Sequence, residues 1–301
     1  MSGHHHGHSH GTKNKKRLIA AMAIIGSWMF VELVGAIWTG SLALLADATH
    51  MLSDFLNLLI SFVAIVFATR AATKKRTFGY HRLEILAALA NGLALIGVSV
   101  YIIYEAIDRF ANPSVIHSGP MIVIAAIGLI ANIGALIVLT GDSAKSNLNM
   151  RGAYLHVLGD TLGSISAIAA GIIMLVFQWY WVDPLLSILI SILIAVTAVR
   201  LLKDTLHVLM EGTPDQVHID EVESELLKIK GVTSVHHLHI WSLSSEVHSF
   251  SCHLVLDVTN IDQQQQITQQ VNDWVKDHLH IDRCTVQVET SANYACQHVS
   301  I

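Results

Sequence analysis

Apolar residues along this chain of 301 residues gather into six long stretches separated by short polar links. The stretches cover residues 18–39, 42–69, 83–107, 118–140, 152–177 and 181–202. Each is close to the roughly 20 residues that a helix needs to cross a bilayer. The pattern predicts an α-helical membrane protein with six transmembrane helices. Because the first stretch is too long for a signal-peptide core and further spans follow it, we expect it to be retained.

The pattern changes beyond the sequence EGTP at 211–214. Two segments then have helical periodicity and three alternate as strands do, in the order 216–229 (helix), 233–241 and 247–258 (strands), 262–279 (helix, capped by Asp262) and 284–289 (strand). This αββαβ order predicts a small two-layer α+β domain. The expected domains are a His-rich segment at 1–17, the six-helix transmembrane domain at 18–208 and the α+β domain at 209–301.

Composition supports this division. Hydrophobic residues make up 52% of the chain and charged residues 14%, well below the roughly 25% of an ordinary soluble domain. These values exclude a disordered chain and argue against a wholly soluble enzyme. Residues 212–301 carry 12 acidic and four basic side chains, whereas the rest of the chain carries 11 acidic and 14 basic ones. An acidic tail disfavours nucleic acid as a partner and suits cations.

Lysine and arginine residues indicate how the spans are oriented. They accumulate before the first span, around the second link, in the fourth link and after the last span, at Lys13, Lys15, Lys16, Arg17, Arg70, Lys74, Lys75, Arg76, Arg82, Lys145, Arg151, Arg200 and Lys203. The opposite side carries Arg109 alone. We therefore expect a multi-pass protein of the inner (plasma) membrane with both termini in the cytoplasm. Cys252, Cys284 and Cys296 lie only in the tail, without a CxxC pair, which indicates a reducing compartment.

Ionisable residues inside two of the spans are the main candidates for chemistry, because such groups are costly in a bilayer. His50 and Asp54 in the second span, and His156 and Asp160 in the fifth, repeat one His-x-x-x-Asp motif. Residues four apart share a helix face. If the two helices face each other, two imidazoles and two carboxylates converge, as in a tetrahedral Zn²⁺ site.

Ionisable residues in a span can also have a purely structural role. Each His–Asp pair could satisfy itself by a hydrogen bond within its helix, although the repetition of the motif favours a shared site. Asp47 lies one turn before His50, where it either supports that site or is a structural carboxylate. Structural or interfacial roles are expected for the acids near span ends, Glu32, Glu84 and Glu105.

Histidines also cluster outside the spans. Five near the start, at positions 4, 5, 6, 8 and 10, could bind a metal weakly; the alternative is a purification tag, which their broken spacing disfavours. The tail holds a denser group in VHHLHIW and on the later strands: His236, His237, His239, His248, His253 and Glu289. Strand alternation puts His237 and His239 on one face and His236 elsewhere, unless His236 lies in the turn that enters the strand. The pattern alone does not choose the ligands.

Five sequence blocks carry a resemblance to a known family: SLALLADATHMLSD (41–54), FGYHRLE (78–84), LHVLGD (155–160), LMEGTP (209–214) and VHHLHIWSL (235–243). With six spans and an αββαβ tail, the chain resembles the zinc-transporting bacterial members of the cation diffusion facilitator family over essentially its whole length. The resemblance implies a homodimeric antiporter that exports Zn²⁺ from the cytoplasm in exchange for protons, with Cd²⁺ and other divalent cations as further candidate substrates. It places the transport site at His50, Asp54, His156 and Asp160.

The same resemblance implies that the tail folds like a small metallochaperone and acts as a cytoplasmic regulatory domain. Its zinc site between protomers would use His236, His239, His253 and Glu289, a choice that differs from strand alternation. Cys296 and His298 stand where some relatives place further ligands, but no cysteine pair is present here. Some relatives also bind zinc in the link after the second span. That link has Tyr80 in place of a histidine, so we expect no metal there and a pairing of Arg82 with Glu211 instead.

The motifs in the sequence distinguish a secondary transporter from three other classes of protein. The phosphate-binding motif GxxxxGK[ST] is missing from the sequence, so drive by ATP is not expected. An intramembrane metalloprotease would need HExxH and an open coordination position, and a passive channel would need weaker binding than four converging ligands give. A secondary transporter fits best. We expect zinc as substrate and regulatory ligand, no organic cofactor, and as partners divalent ions, protons, the lipid bilayer and a second copy of the chain, but no nucleic acid.

Overall fold

The structure is a computed structural model that describes residues 10–68, 73–139, 148–245 and 247–290. In these ranges the chain forms eight helices and three strands. They belong to two compact units. The first contains Met1–Ile65 and Ala88–Leu202, and the second contains Val66–Ala87 and Lys203–Ile301. The second unit therefore includes the link between the second and third helices as well as the tail.

Six long helices occupy the six apolar stretches: α1 (His10–Thr39), α2 (Leu42–Ala68), α3 (Arg82–Ala111), α4 (Ser118–Leu139), α5 (Leu148–Phe177) and α6 (Val182–Leu209). Within the described residues, five of them contain segments long and apolar enough to cross a membrane, and α4 contains the shorter apolar stretch Ser118–Gly134. The prediction of a helical membrane domain is confirmed. Helix α1 begins earlier than its apolar stretch, because the lysines and arginine that precede the stretch are good helix formers.

Small residues let the membrane helices approach closely, as is usual where lipid gives no hydrophobic drive for association. A Cβ atom at Gly35 of α1 would lie 2.4 Å from the Ile124 side chain of α4. A Cβ atom at Gly171 of α5 would lie 2.5 Å from Ile122, also on α4. These two contacts pack α4 between α1 and α5. The core of this unit includes Leu44 and Met121, both fully buried.

The tail in the second unit forms α7 (Ile219–Leu227), β1 (Val232–Ser242), β2 (His248–Leu256), α8 (Ile261–Leu279) and β3 (Arg283–Thr290). This confirms the αββαβ order. Strand β2 is central in the sheet and pairs antiparallel with β1 and parallel with β3. The predicted cap of α8 is wrong by two residues. Asn260 is the N-cap, since its side chain accepts a hydrogen bond from the Asp262 backbone N–H at 2.8 Å.

The link before α3 is joined to the tail by polar contacts inside the second unit. The Arg82 guanidinium donates to the Glu211 carboxylate at 2.8 Å, which confirms the expected pairing. Ser245 donates to Glu84, and the Arg283 guanidinium lies over the Phe78 ring. Because both members of the Arg82–Glu211 pair are exposed, water screens it and its contribution to stability is small.

Candidate metal sites

The first candidate site lies where α2 and α5 approach each other in the membrane unit. His50 Nε2 of α2 is 3.4 Å from Asp160 Oδ1 of α5, and these side chains are 33% and 25% exposed. The two residues come from different copies of the repeated motif. The structure therefore brings together one histidine and one carboxylate across the helix pair.

A cavity of about 470 Å³ opens beside this pair. Asp47, His50 and Asp160 supply its charged and titratable wall. The remaining wall is mostly apolar and comes largely from α6, including Leu186, Leu189 and Leu193. Polar groups at one point of an otherwise apolar cavity are typical of a binding site for a small ligand. We call His50 and Asp160 the membrane cluster.

The remaining members of the two motifs are placed by their helices. Asp54 lies one turn after His50 on α2, and His156 lies one turn before Asp160 on α5. The side chain of His156 lies outside the described residues. Of the four predicted ligands, the structure therefore describes the side chains of His50, Asp54 and Asp160, and only the backbone of His156.

Two further acids belong to the surroundings of the membrane cluster. Asp47 lines the cavity and lies within electrostatic range of His50, Asp54 and Asp160. Glu32 of α1 is buried, and its Oε1 accepts a hydrogen bond from Trp28 Nε1 at 2.8 Å. Glu32 also lies within electrostatic range of Asp47 and Asp160. Sequence reasoning gave Glu32 only a structural or interfacial role; its place well inside an apolar stretch was the available signal.

The second candidate site lies in the sheet of the tail. Glu289 of β3 accepts hydrogen bonds from His253 Nδ1 of β2 at 2.7 Å and from His236 Nε2 of β1 at 3.1 Å. A ligand atom from each of the three residues lies within 4.8 Å of the others. We call these residues the Glu289 cluster. Two imidazole nitrogens and a carboxylate are a suitable ligand set for Zn²⁺.

Electrostatics favour an ionised carboxylate in the Glu289 cluster. Burial by itself raises the pKa of Glu289, whose side chain is only 6% exposed. The hydrogen bonds from His253 and His236, with their attraction for negative charge, outweigh burial and hold the pKa of Glu289 below its usual range. Gln287 Nε2 donates a further hydrogen bond to Glu289 at 3.1 Å. The cluster thus holds an ionised, metal-competent carboxylate in a buried position.

A bulge in β1 explains which histidines meet. His236 pairs with His253 and His239 with Ser251, so β1 has one extra residue between these pairs. His237 has a left-handed backbone, with φ of 47°. Its ring centroid lies 5.1 Å from that of His236 and 5.0 Å from that of His253. Simple alternation therefore does not hold between His236 and His239, because the bulge breaks the two-residue period.

His239 is not a member of the Glu289 cluster in this structure. Its side chain is exposed, and its ring centroid lies 6.3 Å from that of His237. His248 is also separate, since its Nδ1 contacts the Ser242 hydroxyl at 2.9 Å, and burial lowers the pKa of His248. The side chains of the five N-terminal histidines, Cys296 and His298 lie outside the described residues. Of the six candidates in the tail, the structure thus brings together His236, His253 and Glu289.

Comparison with known proteins gives the family. A family model described as "Cation efflux transmembrane domain" matches residues 18–210, and a second, described as "Cation efflux protein, cytoplasmic domain", matches residues 214–291. The chain belongs to the cation efflux, or cation diffusion facilitator, family. It is thus a multi-pass membrane transporter of cations rather than an enzyme. The second match gives the αββαβ tail its name, the cytoplasmic domain.

Two relatives that match over most of the chain agree with this assignment. The chain is 43% identical to the "Cadmium, cobalt and zinc/H(+)-K(+) antiporter" of Bacillus subtilis, over 96% of this chain and 93% of the relative. It is 40% identical to the "Zinc transporter ZitB" of Escherichia coli, over 94% of this chain and 92% of the relative. A solved metal-bound C-terminal domain of the CzcD transporter from Cupriavidus metallidurans is 34% identical; the match covers 24% of this chain and 99% of that domain, with a TM-score of 0.23.

Proposed function

We propose that this cation efflux protein exports Zn²⁺ from the cytoplasm in exchange for protons, through a site of His50, Asp54, His156 and Asp160. The observation that carries the proposal is the approach of His50 to Asp160 across α2 and α5 at the wall of a cavity. A hydrogen bond inside each helix would not need the two motifs to meet. Their meeting therefore favours a shared ligand set.

The charge of the site suits a divalent cation. Two carboxylates balance the two positive charges of Zn²⁺, and two imidazoles complete a tetrahedral shell. Asp47 and Glu32 add carboxyl groups within electrostatic range of the site. Because the rest of the cavity wall is largely apolar, a bound ion loses water and depends on these few ligands.

Proton exchange follows from the chemistry of the ligands. Imidazole and carboxylate bind a metal only when they are deprotonated, so Zn²⁺ binding releases protons and protonation releases Zn²⁺. Imidazole titrates near neutral pH, within reach of physiological proton gradients. In alternating access, the site takes Zn²⁺ from the cytoplasm, opens to the other side and exchanges it for protons there. The excess of lysine and arginine in the links on one side supports a topology with both termini in the cytoplasm.

The range of substrates is proposed to include cadmium and cobalt. One relative is named as an antiporter of cadmium, cobalt and zinc, and another as a zinc transporter. A mixed set of nitrogen and oxygen ligands does not exclude other borderline divalent ions. We propose Zn²⁺ as the preferred ion because two imidazoles and two carboxylates match its tetrahedral coordination.

The cytoplasmic domain is proposed to bind Zn²⁺ as a regulatory ligand in a homodimer. The buried carboxylate and the two histidines of the Glu289 cluster support the binding. The four-ligand set implied by the resemblance adds His239, which lies exposed outside the cluster. Residues 212–301 carry eight more acidic than basic side chains, so two such domains repel each other at short range. Bound Zn²⁺ would offset that repulsion and bring the domains together.

A flux assay in proteoliposomes tests the proposed transport. We expect zinc movement driven by an imposed pH gradient, with coupled proton movement in the opposite direction. Asp160→Ala should abolish both movements. Asp108→Asn, at an exposed acid of α3 outside the cavity, is the matched control and should leave them unchanged. Zinc flux that runs down its own gradient without any proton movement would instead identify a channel.

A further inference from the structure

Helix α2, which carries Asp47, His50 and Asp54, begins at Leu42 directly after a tight corner at Gly40. The first backbone N–H groups of a helix have no partner within the helix. In a protein that spans a membrane, water is not freely available to satisfy them. The partners of these N–H groups therefore decide how firmly the start of α2 is held.

One residue from another helix supplies most of these partners. Asp183, in the first turn of α6, accepts from the Leu42 N–H at 2.8 Å and from the Ala43 N–H at 3.3 Å. The same carboxylate accepts from the Ser41 hydroxyl at 2.5 Å, and the Ser41 oxygen in turn accepts from the Leu44 N–H at 3.2 Å. Asp183 and Ser41 are both buried, with Asp183 fully so. The N–H groups of Leu42, Ala43 and Leu44 are thus satisfied by one carboxylate and one hydroxyl.

The corner itself is held by a third helix. The Arg109 guanidinium of α3 donates to the Gly40 carbonyl oxygen and to the Glu105 carboxylate. A negative charge at a helix N-terminus is favoured by the helix dipole, so the Asp183 carboxylate suits its position at α2. The start of α2 is therefore fixed by hydrogen bonds to α6, while α3 fixes the residues just before it.

This junction lies at one end of the cavity that contains the membrane cluster. Leu186, one turn after Asp183, is the first residue of α6 in the cavity wall, and Thr197 is the last. Asp47 and His50, which also line the cavity, lie about one and two turns into α2. Asp183 thus joins two of the helices that line the cavity, one turn before the first cavity residue of α6.

We propose that Asp183 is a positioning residue for transport: by capping α2 from α6, it sets where α2 presents its metal ligands to α5. The inference rests on the proposed transport function. A rigid helix transmits the position of its first turn to His50, and a misplaced ligand costs metal affinity even when the protein is folded. Asp183 does not itself line the cavity.

The test compares three substitutions in the full chain with a matched control. Asp183→Ala removes all three accepted hydrogen bonds, Asp183→Asn keeps one acceptor oxygen, and Ser41→Ala removes one donor to Asp183. Ser187→Ala is the control, because Ser187 is equally buried one turn later on α6 and its hydroxyl donates to the backbone carbonyl oxygen of Asp183, not to the carboxylate that caps α2. The readouts are the zinc KM and kcat for proton-driven flux, the ranking of Zn²⁺ against Cd²⁺, and the zinc affinity in nanodiscs.

We expect Asp183→Ala to raise the zinc KM about tenfold and weaken zinc affinity to match, with a changed metal ranking. Asp183→Asn and Ser41→Ala should shift both values in the same direction by smaller factors, and Ser187→Ala should shift neither. A purely structural role lowers the amount of folded protein and the total flux but leaves KM, affinity and ranking at wild-type values. That result overturns the proposal.

The proposal stays testable if Asp183→Ala does not fold or if the wild-type protein shows no flux. If Asp183→Ala does not accumulate as folded protein, the milder Asp183→Asn and Ser41→Ala decide, and wild-type KM and ranking in both overturn the proposal. If the wild-type protein shows no proton-driven zinc flux, the proposed function fails instead. The positioning claim is then judged on zinc affinity in nanodiscs, and equal affinities of wild type and the three variants overturn it.

Discussion

The membrane cluster and the Glu289 cluster use the same types of side chain in different settings. In the membrane cluster, His50 and Asp160 are 3.4 Å apart, remain partly exposed and face a cavity of about 470 Å³. In the Glu289 cluster, a nearly buried carboxylate is held by two histidines at 2.7 and 3.1 Å. A ligand set that faces a cavity suits an ion that must enter and leave, whereas a set preorganised around a buried carboxylate suits an ion that stays.

The largest expected effect separates the two clusters by function. We expect Asp160→Ala, and equally Asp54→Ala, to abolish zinc flux, because each removes a charge and a ligand from a site with few ligands. Zinc binding at the Glu289 cluster should persist in both variants. Flux assays paired with equilibrium dialysis measure the two properties. Near-normal flux in either variant would remove these residues from the transport site.

The reverse change tests the cytoplasmic domain. Glu289→Ala should weaken zinc binding there by about tenfold or more, since it removes the charged ligand that both histidines contact. Proton-driven flux should fall but remain measurable. His239→Ala is the matched control, because His239 is exposed and outside the cluster. Dialysis and flux measure both effects, and an equal loss of binding in the control would restore His239 as a ligand.

Replacing an imidazole by a carboxylate in the membrane cluster tests which ligands set the metal selectivity of transport. We expect His50→Asp to raise transport of Mn²⁺ relative to Zn²⁺, because a third carboxylate makes the ligand set harder and more negative. The loss of an imidazole should also move the pH profile of the remaining zinc flux towards the carboxylate range. Competition flux with Zn²⁺, Cd²⁺ and Mn²⁺ across a pH series gives both results. An unchanged ranking and midpoint would show that His50 does not set selectivity.

The smallest expected effect is a pH dependence of the metal-free cytoplasmic domain. The pKa of Glu289 in the folded protein lies below its ordinary value of 4.5, so its ionised form stabilises the fold. That contribution is fully present above the unfolded pKa and is lost as the pH falls through the folded pKa. Hydrogen exchange of the β2 and β3 amides, corrected for the intrinsic effect of pH, should show weaker protection at low pH.

Glu289→Gln is the matched variant for this measurement. It keeps the size of the side chain and one acceptor oxygen but cannot ionise. We expect its protection to change less with pH than that of the wild type over the same acidic range. Identical pH profiles for the two proteins would mean that the Glu289 carboxylate does not stabilise the domain.

Local patterns were enough to predict much of this protein. The six helices follow from runs of apolar residues, and the αββαβ order of the tail follows from its periodicities. The pairing of His50 with Asp160 was also within reach, because ionisable groups are rare in spans and the motif repeats. The cap of α8 shows the limit of such reasoning. Asn260 and Asp262 are both good caps by residue type, and only backbone geometry selects Asn260.

The sequence by itself determined the family, the membrane helices, the order of the tail elements and the residue types of both clusters. Tertiary structure decided which residues meet. His236, His253 and Glu289 come from three strands, and a bulge of one residue changes which histidine faces the carboxylate. Asp183 caps a helix that begins 141 residues earlier in the chain. Such contacts depend on the register of strands and on the packing of distant helices, which no local pattern of side chains specifies.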